Sequence, residues 1–544
     1  MTESPPTSIN LERAAHKKLH TLFMPNGFIW GHRLNGDQDA SMVLMEFLNA
    51  IQNLSFSKYD PDNFIFKIPK RLVLRTLLFN NPHIESIGEK AADPWGEWEK
   101  LFRENEENTP LFTSASSWNS DYLRKAFSVS DSDSSAGVTE RERQSFENFA
   151  RTLRFIRSSA LNIRSEKRWS SCFVFPWGAD CLYVDMDQTG VADKKYFSRG
   201  GILVYLMLAH AENRDELERL VRSRILDSGN PLNEICKTLQ GEDESWSIPN
   251  DSVDEMGSFL PAESDLTADD RAHFNSFCDD LIQVLRLSLP APDMLRHLRD
   301  AIGLHLIKWI LDRGRWAIGK PENENTIICE MLQKKSTEIR RISKENFIEN
   351  NKQSEAGLRI RVNKKLNEIR DAQLDDGIVD EDCFRQSVKD QFGFDKNYFS
   401  EISSLSEKEF IKRVTDDELV THRNHMGKAL GVYARNIGLA TKLYSNAYRY
   451  APSNSLLKSL VMILVDKKRM LLTDFLDKAY TKFGIVIGPA EARKARVQER
   501  RGTEEKQFEE NQKLLIDRLK SIGLLISLSD GFPYVINRYA ATEE

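Results

Sequence analysis

The last ninety residues restrict the fold more than any other part of the chain. Apolar residues repeat at helical spacing from Asn454 to Tyr480, and Gly484-Ile-Val-Ile-Gly-Pro489 interrupts them. A charged helical stretch then runs to Gly523, and Leu524-Leu-Ile-Ser-Leu-Ser-Asp-Gly-Phe-Pro-Tyr-Val-Ile536 reads as two short strands about an Asp-Gly turn, a pair that accommodates positive φ. Helices closed by an apolar hairpin predict a winged-helix domain over 451–544. In such domains one helix enters the major groove and the hairpin touches phosphates, so basic residues belong on those elements. Arg493, Lys494, Arg496, Arg500 and Arg501 fill that role, with Arg538 following the hairpin. Glu491, Glu499, Glu504, Glu505, Glu509 and Glu510 interleave with them and dilute the field, which leaves two partners open, DNA and another protein.

The remaining sequence bounds the partner further. A chain of 544 residues exceeds one ordinary core, and 40% hydrophobic with 29% charged residues suits several folded domains. Lys and Arg total 76 against 82 Asp and Glu, a net charge of −6, so bulk attraction to nucleic acid is excluded and any such contact must be local. Six cysteines without a CxxC pair fit reduced thiols rather than a disulfide framework or zinc finger. The polar Met1-Thr-Glu-Ser-Pro-Pro-Thr-Ser start is unlike a signal peptide, and the longest apolar runs fall short of the ~20 residues a membrane span needs. A cytoplasmic protein without a membrane partner is expected.

Periodicity predicts a mainly α, multidomain protein. Residues 1–127 read as a helical or mixed domain, and Ser128–Gly137 as a linker. Residues 139–240 read as a helical domain holding a short β-hairpin near 172–184, its first helix capped by Thr139. An acidic stretch from Gly241 to Asp270 separates it from a helical domain over 270–450. There Phe274–Leu289, Asp293–Leu311, Ile327–Ile348 and Leu358–Leu374 keep helical spacing, and the basic residues of the last read as a solvated face.

Four motifs have a chemical and a plain reading. Tyr183-Val-Asp185-Met-Asp187-Gln-Thr189 resembles the first motif of haloacid-dehalogenase-type phosphotransferases, in which Asp185 would attack phosphorus and Asp187 act as acid and base near Mg²⁺. The helical chain downstream lacks the alternating strands that such enzymes need, so an acidic turn after a strand is preferred. Gly314-Arg-Trp-Ala-Ile-Gly319-Lys320-Pro321 has phosphate-loop spacing, but Pro321 replaces the hydroxyl residue, and a helix end is preferred. His422 and His425 lack further metal-ligand company and read as a polar helix surface. Gly200-Gly201 opens an apolar helix whose free N–H groups suit either an anion or a close packing turn, and packing is preferred; the aromatics around Trp30 and Trp95 read as core beneath loops.

Trp169, Cys172-Phe-Val-Phe-Pro-Trp-Gly-Ala-Asp-Cys-Leu-Tyr-Val184 and Tyr196-Phe-Ser-Arg-Gly-Gly201, with the C-terminal segment, resemble accessory subunits of bacterial multigene anti-phage defence systems of the Druantia type. That resemblance implies a bacterial protein acting beside a separate helicase or nuclease, and it transfers no catalytic residue. The expected function is a non-catalytic component of an antiviral defence or DNA-processing complex, needing no cofactor or metal and contacting DNA or a partner subunit through 451–544. The alternatives are a Mg²⁺-dependent phosphotransferase centred on Asp185 and Asp187, and a scaffold that never touches DNA.

Overall fold

A computed structural model describes residues 25–58, 91–106, 120–127, 138–158, 178–181, 200–240 and 260–540, with breaks at 32–33, 35, 37, 261–264, 322–323, 332–336, 376–377 and 529–530, and the separate positions 74, 77, 84 and 87. The protein is mainly helical. The first part supplies α1 (Pro25–Trp30), α2 (Ala40–Asn53), α3 (Pro94–Glu106), α4 (Ser120–Ala126), α5 (Val138–Ser158), α6 (Gly200–Ala209), α7 (Arg214–Arg224) and α8 (Pro231–Gln240).

Every residue of α6 is buried, as a helix apolar on all sides must be. Its first N–H groups have no partner within the helix and meet side chains flanking and within α2 instead. Gly200 N donates to Gln38 Oε1 at 2.9 Å, Gly201 N donates to Glu46 Oε2 at 2.7 Å, and Gln38 Nε2 donates to the same carboxylate at 2.7 Å. The anion at this helix start is therefore the protein's own Glu46. The glycine pair permits the approach, because a Cβ on Gly201 would lie 2.4 Å from Glu46 Cβ and 2.7 Å from Phe47 N. Trp95 and Trp98 of α3 interlock with Phe146 and Phe149 of α5, filling core as expected.

The middle of the chain is built on α9 (Ala268–Leu285), α10 (Ala291–Ala317) and α11 (Glu338–Asp371). Thr267 and Asp270 form a capping box at the start of α9. Trp30 Nε1 donates to Ile310 O and Trp309 Nε1 to Trp30 O, both at 3.1 Å, which ties α1 to α10. Buried Arg313 adds Nε to Ile29 O at 2.8 Å and Nη1 to Asp270 Oδ2 at 2.9 Å, with its guanidinium 3.9 Å from the Trp316 ring centre. Against α11 pack α12 (Glu381–Phe392) and α14 (Glu407–Asn424); α13 (Lys396–Ile402) reaches α14 through Tyr398 Oη, which donates to Asp417, and α15 (Ala429–Asn436) packs against α10.

The C-terminal part runs α16 (Asn454–Leu464), strand Arg469–Leu471, α17 (Leu472–Phe483), strand Ile485–Val486, α18 (Pro489–Lys494), α19 (Val497–Arg501), α20 (Glu505–Ser521), and strands Leu525–Ser527 and Pro533–Ile536. In chain order the strands are β1 (Ile327–Ile328), β2 (Leu374–Asp375), β3 (Ile378–Val379), β4 (Ala440–Thr441), β5 (Arg449–Tyr450), β6 (Arg469–Leu471), β7 (Ile485–Val486), β8 (Leu525–Ser527) and β9 (Pro533–Ile536). One antiparallel sheet has the order β6-β9-β8, with Arg469 opposite Ile536 and Leu525 opposite Val535. A hydrophobic cluster extends from Ile29 to Val535, so residues from each expected domain share it.

Several local expectations are corrected. Ile327–Ile328 is a strand, not the first turn of a helix over 327–348, because it pairs with β7 in parallel. The helix that follows begins at Glu338 and continues without interruption through 358–371. The apolar run from Asn454 to Tyr480 is cut by β6, and the charged stretch to Gly523 comprises three helices. Thr139 lies inside the first turn of α5 rather than capping it. His422 is buried, not on a polar surface: its Nδ1 is 3.0 Å from Asn26 Oδ1, its Nε2 is 3.1 Å from Ser354 Oγ, and its ring stacks on Trp30. The 314–321 segment is a helix end, as expected, with Gly319 at φ +70° after α10. Ala179–Cys181 is a single 3₁₀ turn, and the other residues of the expected 172–184 hairpin, apart from Gly178, lie outside the described residues.

The contact between α6 and α2 yields a test. Gly201→Ala should destabilise the protein by about 1–3 kcal/mol, the usual range for forcing one methyl into a packed core. Denaturant melts of the full chain measure it, and an unchanged midpoint would refute the packing account.

Candidate functional site

Two neighbouring features of the C-terminal part have the polarity of a site: the charged surface of α18 to α20 and a cleft beneath α19. Both rest on the seam between β1 and β7. Ile327 N donates to Gly484 O at 2.8 Å and Cys329 N to Val486 O at 2.9 Å. Gly484 has φ +68°, and a Cβ there would fall 2.2 Å from Asn325 O, so this crossing requires glycine. Asn511 of α20 closes the seam. Its amide nitrogen donates to Cys329 O at 2.9 Å and Ile487 O at 3.0 Å, while its oxygen accepts from Met331 N at 2.7 Å.

Glu330 lies in the same segment with its side chain fully buried. It accepts from Arg340 Nε and Nη2, each at 3.1 Å, and from Arg449 Nε. One carboxylate thereby joins α11 to β5. Ser343 Oγ donates to Tyr450 O at 2.9 Å and Asn350 Nδ2 to Tyr450 Oη at 3.1 Å, so three more polar side chains are used up in the same joint.

On this base α20 turns Phe508, Asn511, Leu515 and Leu519 inward. Its exposed charges are Glu504 at the cap, Glu505, Lys506, Glu509, Glu510, Lys513, Asp517 and Lys520, five acids against three lysines. The basic residues singled out from the sequence sit mainly on α18 and α19, and most meet acids of this chain. Arg493 is 3.5 Å from Glu505, Lys494 bonds Asp477, Arg500 is 4.0 Å from Glu324, and Arg501 pairs with Glu349 and with Glu345 at 3.5 Å. Arg496 is exposed in the left-handed conformation, φ +51°, between α18 and α19, and Arg538 is exposed beyond β9. Gly531 adopts φ +77° in the hairpin, whose Ser529 and Asp530 are outside the described residues. Ile526 and Phe532 of the hairpin and Tyr539 beyond it are exposed apolar side chains.

The cleft has a volume of about 310 Å³ and is lined by Arg315, Glu324, Glu349, Asn350, Arg500 and Arg501 among others. Sequence reading placed two of these arginines on a DNA surface and missed the cleft, because Arg315, Glu324 and Glu349 come from distant segments. Its amides are already committed: Asn350 Nδ2 also donates to Thr326 O at 3.0 Å, and Gln353 Nε2 donates to Leu311 O at 3.2 Å and Asn325 Oδ1 at 3.3 Å. Burial lowers the Arg315 pKa, with Glu324 opposing that shift.

The cluster of titratable groups around His305 is closed. Asp280 accepts from Lys482 and lies 3.0 Å from His305 Nε2, but Asp280 and His305 are buried and the His305 ring packs between Phe277 and Phe483. Burial lowers the pKa of His305 and, more strongly, of His273 beside it. Asp185 and Asp187 lie outside the described residues. Among the described residues no cluster of three or more His, Cys, Asp or Glu is arranged for a metal ion, and no helix is long and apolar enough to cross a membrane.

Two tests follow from these buried charges. Glu330→Gln leaves two guanidiniums packed about a neutral amide and should cost about 3–5 kcal/mol, read from denaturant melts; a change below about 1 kcal/mol would refute the joint. His297 Nδ1 is 2.8 Å from Ser459 Oγ, which donates to Asp300 Oδ2, so the neutral ring carries its proton on Nδ1. Burial, with Arg296, Arg299 and Lys458 outweighing Asp293, lowers its pKa to about 4. Between about pH 6.5 and 4 the unfolded chain takes up a proton that the folded protein refuses, so stability falls as pH falls. His297→Gln should flatten that part of the stability–pH curve, and an unaltered slope would contradict the shift.

Comparisons with protein-family models, with curated proteins and with solved structures found no match to this chain.

Proposed function

We propose that the chain is a non-catalytic component of a bacterial antiviral defence or DNA-processing complex, and that α16 to β9 form a winged-helix module that docks a partner subunit. The order helix, strand, helix, helices, hairpin and the sheet order β6-β9-β8 support the module. The charge of α20 carries the choice of partner. This helix stands where a groove-reading helix would, and five exposed acids against three lysines oppose a phosphate backbone. Exposed Ile526 and Phe532 give the hairpin an apolar tip suited to a protein surface. The helicase or nuclease subunit implied by the resemblance is the partner this reading names.

DNA contact is the second reading, favoured by Arg496 and Arg538. Neither makes an ion pair among the described residues, and exposed pairs such as Arg493–Glu505 hold their cations by only about 0–1 kcal/mol. A duplex titration decides between the two. Docking predicts DNA affinity no better than the non-specific range of about 10⁻⁴–10⁻⁶ M at physiological salt, unaffected by reversing Arg493, Arg496, Arg500 and Arg501. It also predicts that Phe532→Asp releases the helicase or nuclease subunit on co-purification from the native host. Tight, steeply salt-dependent DNA binding abolished by the four reversals would replace docking with DNA recognition.

A further inference from the structure

We propose that the cleft beneath α19 binds the diphosphate group of a small phosphorylated ligand, with Glu324 and Glu349 occupying the two anion positions in its absence. Arg315 Nη2 is 3.0 Å from Glu324 Oε2, and Arg500 Nη2 approaches that same oxygen at 4.0 Å. Two guanidiniums thus converge on one carboxylate. Arg501 holds the second, Glu349, and both acids line one cleft.

Exposure divides the partners by depth. The Arg315 and Arg501 side chains are 14% and 16% exposed, whereas Glu324 and Glu349 are 54% and 60% exposed. Arg315 and Arg501 are largely buried, Arg500 is 53% exposed, and the carboxylates reach in from solvent. A carboxylate held in that way is weakly bound, because solvent competes for it. A phosphate carries more charge and more acceptor oxygens than a carboxylate and takes the same paired, charge-assisted N–H donors, so it displaces the carboxylate. Arg315 is already oriented for this, since its Nε donates to Pro321 O at 2.5 Å and its Nη2 faces the cleft acid.

The cleft also sets the ligand's size. At about 310 Å³ it lies at the lower bound of small-molecule sites, roughly 300–1,000 Å³. Among the described residues its apolar lining is Ile328, Ala495 and Val497, with no aromatic ring to stack on a base. Recognition is thereby confined to the phosphates, and the rest of the ligand projects outward. None of the lining residues belongs to α20, so the site is separate from the proposed docking face.

Calorimetric titration of the full chain with inorganic pyrophosphate tests this assignment, with orthophosphate in parallel. Wild type should bind pyrophosphate at least about tenfold more tightly than orthophosphate, because pyrophosphate carries a second phosphoryl group for the second arginine position. Arg500→Ala should weaken binding about tenfold, with its thermal melt confirming a folded protein. Glu324→Gln is the decisive variant. Removing the competing carboxylate should tighten pyrophosphate binding severalfold, a gain that a purely structural ion pair does not produce. Absence of pyrophosphate binding by both wild type and Glu324→Gln, weaker binding by Glu324→Gln, or equal affinity for the two anions would each overturn the proposal.

Discussion

The C-terminal part of the molecule depends on one buried carboxylate, Glu330. A carboxylate removed from water must be paired and hydrogen-bonded, and here two arginines from different elements supply the donors. That requirement fixes residues 327–331 between α11 and β5. With the backbone placed, Ile327 and Cys329 present their N–H groups to 484–486, and Met331 presents its own to Asn511. Replacing the triad with apolar residues would remove the desolvation cost, but it would also remove the directional contacts that select this register over a slipped one.

The cleft and the outward face of α20 inherit opposite properties from this seam. Beneath the cleft, Asn346 accepts from Ile328 N at 2.9 Å, and Asn350 and Gln353 bond backbone carbonyls, so one wall is rigid. Above it, α19 is only Val497–Arg501, bounded by left-handed Arg496 and Gly502. A short element between two such residues places Arg500 and Arg501 without the support of a long helix. A fixed wall facing a lightly held rim suits ligand capture, since the ordering cost is confined to few residues. The face of α20 is different: its inward row is locked, and its charges ride on a rigid seventeen-residue helix.

Local chemistry made much of this legible from sequence. The apolar stretch at Gly200 has no polar face to expose and is buried, and the Trp95–Trp98 pair reads as core because aromatics at turns more often fill cores beneath loops. Ile327–Ile328 did not read as a strand, because two β-branched residues beside a long helical pattern have no periodicity of their own. Only the partner strand, far along the chain, determines their state. His422 misleads in a similar way: neighbouring Arg423 and Asn424 suggest a wet surface, but Asn26 and Ser354 arrive from elsewhere to satisfy both ring nitrogens.

Arginine shows why the site was harder to see than the fold. Arg449 and Arg493 are the same residue type and neither position announces its role. Arg449 is fully buried on Glu330, where loss of the carboxylate leaves its charge uncompensated. Arg493 is mostly exposed opposite Glu505, where water and salt replace the partner at little cost. Arg315 and Arg501 stand between these limits, too buried for bulk solvent to substitute for an anion, yet paired with acids that solvent reaches freely. Counting basic residues along 493–501 treats all of them as available to DNA. Their differing burial instead assigns them to surface pairs and to a cleft, and it is the intermediate burial of Arg315 and Arg501 that makes an exchange of carboxylate for phosphate favourable.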